Sequence, residues 1–181
     1  GHSIFFVSGS SGQFELNGLT LTGADSEFFG GAIACYGPSL SVKNTVITGN
    51  AGLFRGGGIY TNGDLTVESS TITGNSTLGA GGGVYFNGND TVLNVVGSTI
   101  SGNDAFEGGG GIFARSHGHV SIQSSHITGN QTADRGGGIY FYGMELTLQS
   151  SEVRDNGSSG LYGGGLYATV SFGSITIDES I

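Results

Sequence analysis

Apolar residues recur along this chain at a fixed phase. Directly after each glycine cluster stands Ile33, Ile59, Val84, Ile112, Ile139 or Leu166, with intervals of 25 to 28 residues. A second series, Leu40, Leu65, Leu93, Val120, Leu146 and Ile175, is followed two residues later by Val42, Val67, Val95, Ile122, Leu148 and Ile177. That alternation is the signature of a strand with one buried face. Five residues beyond come Ile47, Ile72, Ile100, Ile127 and Val153, and three further on come Asn50, Asn75, Asn103, Asn130 and Asn156. Phe14, Leu16 and Leu21 fit the same frame, with Ala24 in the Asn position. The pattern predicts about seven coils, the first and last incomplete, each holding three short strands separated by turns. Helical periodicity is absent, and the single proline, Pro38, falls in a turn.

One such repeat cannot bury its apolar positions alone. If every strand pairs in parallel with its counterpart one coil away, like residues stack at roughly 4.8 Å and form continuous aliphatic columns. Seven coils then build a rod about 30 Å long. The varying interval assigns extra residues to loops such as Asn87 to Thr91 or Asp104 to Gly108, outside the stacked strands. The Asn column has its own mechanism, because Asn tolerates left-handed backbone and stacked side-chain amides hydrogen-bond along the axis. Gly49, Gly74, Gly102 and Gly129, each just before the Asn, support a tight bend there.

Composition sharpens this picture. The 38 glycines sit beside Ile, Val and Leu in a chain of 181 residues with only 10% charged residues, so they are structural rather than linker glycines. The length suits one domain over residues 1–181. A net charge of −9 repels phosphate backbones and anionic membranes, which argues against nucleic-acid partners. No apolar run is long enough to insert this segment in a bilayer. The opening GHSIFFVSGSSG lacks the basic start and long apolar core of a signal peptide, so the chain reads as mature or excised material. Cys35, the single cysteine, lies between Ala34 and Tyr36 and reads as a plain strand residue.

The recurring GG-x-[IV] followed by L-[ST]-V-x-x-S-x-[IV]-[TS]-G-N resembles the repeats of right-handed parallel β-helix surface proteins, among them polymorphic outer-membrane-protein repeats and autotransporter adhesin passengers. The similarity runs from about Phe14 to Ile181. It implies an all-β, single-stranded, right-handed parallel β-helix of bacterial, extracellular or cell-surface type. The same scaffold also carries pectate lyases, polygalacturonases and phage tailspikes, so the resemblance specifies fold better than function.

Signs of chemistry are sparse. An enzyme on this scaffold calls for clustered carboxylates on one exposed face, and none is recognisable, so no catalytic residue is assigned. Asp104, Glu107, Asp134 and Asp155 lie beside the Asn corner in successive coils and are the candidate ligands for calcium, with no other cofactor implied. Solvated loop charge, balanced by Arg135 and Arg154, is the plainer reading. His117 and His119 form an H-x-H pair, which the alignment of Gly118 with Gly63, Gly88 and Gly143 places in a turn. Of four N-glycosylation-type sequons, those at Asn75, Asn130 and Asn156 coincide with the Asn ladder, and the fourth is at Asn89. No phosphate-binding glycine motif is present.

More informative is the column Tyr60, Tyr85, Phe113, Tyr140 and Tyr167, one residue past the inward aliphatic, with Ala34 at its start. Alternation puts these rings outward, although inverted strand parity would put them inside. Stacked rings suit three roles: mutual stacking under covering loops, a protein interface, or a platform for sugar faces. The N-terminal SIFFV is apolar, no capping helix is readable, and the chain stops at Ser180-Ile181 partway through a coil. Either it is cut from a longer passenger, or neighbouring subunits complete the ends and a filament grows head to tail. The reading that follows is a non-enzymatic adhesive or matrix-building β-solenoid whose partners are copies of itself or host and matrix glycans. The alternatives are a carbohydrate-active β-helix enzyme and a passive glycan-binding module.

Overall fold

The computed structural model describes residues 1–160 and 162–180, and among these the fold is all β with no helix. Leu161 and Ile181, both within the expected domain, lie outside the described residues. Three walls wind around one core. The first begins with Phe5–Ser8, Ile33–Tyr36, Ile59–Thr61 and Val84–Gly88. The second begins with Gln13–Asn17, Ser39–Lys43, Leu65–Glu68 and Leu93–Val96. The third is a six-stranded sheet running from Thr20–Thr22 to Glu152–Arg154. A further sheet of six two-residue strands, Asp25–Ser26 to Gly157–Ser158, follows the third wall before the glycines. Every pairing is parallel and joins like positions one coil apart, as in Leu40↔Leu65↔Leu93↔Val120↔Leu146.

The six-stranded sheets count six complete turns, and Leu166–Asp178 begins a seventh. In the later coils the first two walls run together as single strands, Ile112–Gln123, Ile139–Gln149 and Leu166–Asp178, which joins both walls into one eleven-stranded sheet. The expected three separate strands therefore hold only for the earlier coils. Register shifts between Ser116 and His119, and between Gly143 and Glu145, absorb the corner where the strands fuse.

Nearly all of the variable length sits at one place, the path from Asn156 to Leu166 being one residue longer than its counterparts such as Asn130 to Ile139. Six residues separate Ile59 from Leu65 but nine separate Val84 from Leu93, whereas ten always separate the second-wall aliphatic from its Asn, as from Leu40 to Asn50 and Leu93 to Asn103. Asn87 to Thr91 thus belongs to the elastic corner. Asp104 to Gly108 does not: Asp104–Ala105 is a regular short strand, and Gly108 bridges Ala80 in parallel.

Besides that elastic corner, three corners close each turn, and each of the three bends through left-handed backbone. Asn44, Ser69, Ser124 and Ser150 (φ 47 to 49°) turn the second wall into the third. Gly74 (φ 63°) stands just before Asn75, and Asp155 (φ 56°) fills the same place in the last full coil. Gly56 (φ 69°) opens the glycine cluster of its coil. The middle glycine of each cluster is required by close approach, and the third place is tight in most coils, although Ala32 fills it in the second. A Cβ on Gly57 would lie 2.4 Å from the carbonyl oxygens of both Gly82 and Ser76, and one on Gly58 would lie 2.7 Å from that of Gly83. Inside, Ile33, Ile59, Val84, Ile112 and Ile139 are fully buried, as are Ile47, Ile72, Ile100 and Ile127. Each such side chain contributes about 1.5–3 kcal/mol relative to exposure, against about 0–1 kcal/mol for a surface ion pair. The aliphatic columns, rather than the charged pairs, hold the rod together.

Candidate functional site

Strand alternation turns Tyr60, Tyr85, Phe113, Tyr140 and Tyr167 away from the aliphatic core, and the parallel register aligns them one per coil. Adjacent ring centroids lie 5.5, 4.9, 4.6 and 5.1 Å apart, with interplanar angles of 6, 2, 10 and 30°. Where Ala34 replaces a ring, Phe29 from the preceding corner stacks on Tyr60 at 4.9 Å instead. The column is therefore outward of the core yet covered. Tyr60 and Tyr85 retain only 7 and 4% of their exposure and form a second apolar cluster with Ala80. Phe113, Tyr140 and Tyr167 are half-buried.

Two arginines from the corner that precedes the glycines roof the ladder. The Arg55 guanidinium lies 5.6 Å from the Phe29 ring and 5.2 Å from Tyr85. Arg135 lies 4.8 Å from Tyr162 and 5.3 Å from Tyr167, and donates to the Tyr167 hydroxyl at 3.4 Å. Burial raises the phenol pKa of Tyr60, Tyr85 and Tyr140, with Arg55 opposing the rise at the first two. A sugar ring would have to displace the roof before reaching Tyr60 or Tyr85.

The Asn column is buried: Asn50, Asn75, Asn103 and Asn130 are at most 1% exposed, and Asn156 is partly buried. Each Nδ2 donates to the next coil's Oδ1, from Asn50 to Asn75 and onward to Asn156, at 2.9–3.0 Å. The same amide also donates inward to a third-wall carbonyl, as Asn103 does to Ile72. This saturation closes the buried ladder sequons at Asn75 and Asn130 to modification in the folded chain. A second ladder was not read from the sequence. The Ser70 N–H donates to Ser98 Oγ, Ser98 N–H to Ser125 Oγ and Ser125 N–H to Ser151 Oγ, at 3.1–3.2 Å, with Thr45 continuing the column. Its signal was the Ser of the L-[ST]-V-x-x-S motif, which follows the left-handed corner residue.

The calcium candidates do not converge. Asp104 lies on a corner strand beside Ser76 and Gln131, and Glu107 lies further round the same corner. Asp134 pairs with Arg135 at 3.4 Å, while Asp155 occupies the preceding corner and accepts from Arg154. Among the described residues, no three His, Cys, Asp or Glu side chains gather as a metal site. His117 and His119 are placed differently from expectation: both lie on the fused strand Ile112–Gln123 and point outward, because the first-to-second-wall turn is extended there. His117 Nδ1 meets Asn89 Oδ1 at 3.1 Å, and His119 pairs with Glu145 one coil on. Cys35 is fully buried with its thiol against the Pro38 carbonyl, and burial raises its pKa.

Residues 31–181 match the family described as the right handed beta helix region. The chain belongs to the right-handed β-helix family. Its first coil lies before the matched span, yet Phe5–Ser8 and Gln13–Asn17 pair in register with the second coil. No curated protein and no solved structure shows a significant match.

Proposed function

We propose that this β-helix is a non-enzymatic structural module that works outside a bacterial cell, in adhesion or matrix building, through stiffness rather than chemistry. The observation that carries this reading is the spending of specialised side chains on the neighbouring coil. Asn75 bonds Asn103, Ser70 bonds Ser98, Tyr85 stacks on Phe113, and none is left aimed at a ligand. A load-bearing rod needs these columns continuous. The roof over Tyr60 and Tyr85 favours the scaffold over a sugar-binding platform.

The register is indifferent to which chain supplies the next coil. Copies of the chain, stacked head to tail, are the assembled form in this reading, since heterologous contacts that do not close propagate. Negative-stain electron microscopy at rising protein concentration tests it. Rods lengthening with concentration are expected; monomeric particles throughout would overturn self-assembly. Cleavage of any polysaccharide in a product assay would overturn the non-enzymatic reading.

A further inference from the structure

One edge of the rod carries large apolar side chains outside the core, of which Phe54 alone meets the aromatic ladder, edge-on to Phe29 at 6.2 Å. Leu53, Leu78 and Phe106 occupy the same place in three successive coils, each just past the two-residue corner strand. They are 40, 68 and 64% exposed, and Phe28 and Phe54, one place further on in the first two coils, are 66 and 51% exposed. Their backbones are in register, with the Phe54 N–H donating to Phe28 O at 3.1 Å and the Phe106 N–H to Thr77 O at 3.3 Å. Three adjoining depressions share Leu78 and merge into a groove along the rod axis. Over four coils it is roughly 15 Å long. Beyond Phe106 the column becomes Ala133 and Ser159, so the apolar floor ends there.

The rim is acidic. Asp25, Glu27 and Asp104 line one depression and Glu107 another, and Asp25, Asp104 and Glu107 make no salt bridge among the described residues. Arg55, the one cation in the groove, is engaged over the rings of Phe29 and Tyr85. We infer that this groove docks a segment of a different protein in which large apolar side chains alternate with Lys or Arg. Apolar side chains would cover Leu53, Leu78 and Phe106, and the cations would meet the rim. A second copy is a poor occupant. Its net charge is −9, and its few cations are already committed: Lys43 to Glu15, Arg115 to the Tyr142 ring, Arg135 to Asp134 and Arg154 to Glu152.

The inference is independent of head-to-tail assembly, because the groove lies on the side of the rod. Fluorescence anisotropy with labelled ten-residue peptides tests it, using alternating Leu/Lys, Leu/Glu and Ser/Lys sequences. The Leu/Lys peptide should bind at least tenfold more tightly than either of the others. Leu78→Asp and Phe106→Ser, both at exposed positions, should each weaken it at least fivefold while leaving the thermal midpoint unchanged. Equal binding of the Ser/Lys peptide, unchanged affinity in both variants, or no binding of the Leu/Lys peptide at millimolar concentration would each overturn the proposal. So would self-association by sedimentation that Leu78→Asp abolishes, since that would make the occupant a second copy.

Discussion

Asn75 donates twice to one atom of Asn103: its backbone N–H and its Nδ2 both reach Oδ1 of Asn103 at 3.0 Å. The acceptor is fully buried, so neither donor has water to fall back on. Asn103→Ala leaves the Asn75 N–H without its acceptor, takes one of two acceptors from Asn75 Nδ2 and removes the side-chain donor to the Ile72 carbonyl, while Asn130 Oδ1 keeps the backbone N–H of residue 103. Buried groups left unsatisfied cost about 1–3 kcal/mol each, and partial relaxation should bring the loss to about 3–5 kcal/mol. Urea unfolding followed by circular dichroism measures it. Asn156→Ala, at a partly buried rung, should cost clearly less; equal losses would refute the ladder as a burial effect.

The glycine cluster predicts a graded response. At Gly57 a Cβ would meet two backbone oxygens at 2.4 Å, neither of which belongs to a flexible group, so Gly57→Ala should cost about 3 kcal/mol, the upper end for overpacking. At Gly58 the contacts are looser, and Ala32 already fills the equivalent place while fully buried. Gly58→Ala should therefore cost about 1 kcal/mol, at the lower end of the same range. The contrast is read from the two unfolding midpoints, and a larger loss at Gly58 would invalidate the stacking explanation.

Ser98→Ala removes the acceptor for the Ser70 N–H and should lower stability by about 1–2 kcal/mol. Ser98→Thr should be milder, because Thr45 occupies the same column with 1% exposure and keeps its hydroxyl bonded to the Lys43 carbonyl. Amide hydrogen exchange at Ser70 separates the cases: protection falls in the Ala variant and is retained in the Thr variant.

The covered phenols give the rod a base-sensitive window. Burial raises the pKa of Tyr36, Tyr60, Tyr85 and Tyr140, so the folded chain holds protons that the unfolded chain releases near pH 10. Their contribution is present below that pH and is lost as pH rises toward the folded pKa values. Ultraviolet titration should show late-ionising tyrosines that revert to ordinary behaviour in denaturant, with an unfolding midpoint falling above pH 10. Ordinary titration of all tyrosines in the native chain would contradict the burial of Tyr60 and Tyr85.

The columns were legible in the sequence wherever burial imposes one residue type on every coil: Ile59 and its counterparts, Val67 and its counterparts, and Asn75 with its ladder. The serine ladder escaped because Ser is common on exposed strands, and only burial distinguishes Ser98 from Ser101. The roof over Tyr85 escaped for a different reason. Arg55 and Arg135 recur three coils apart rather than in each coil, so periodicity does not flag them. The fused strand that carries His117 and His119 is hidden because the sequence aligns Gly118 with Gly88 and Gly143, whereas in the structure Ser116 pairs with both and Gly118 falls in the register shift of a continuous strand. Phe28, Leu53, Leu78 and Phe106 looked scattered until the coils were set in register.

The elastic corner between the first two walls has a practical corollary. Natural spacing there ranges from six residues, Ile59 to Leu65, to nine, Val84 to Leu93, while the path from Leu93 to Asn103 holds at ten. A foreign peptide spliced between Gly88 and Thr91 would meet a seam already cut to variable length, whereas the same peptide after Asn103 would shear two ladders at once. The rod offers one edge along which cargo is grafted without altering its pitch.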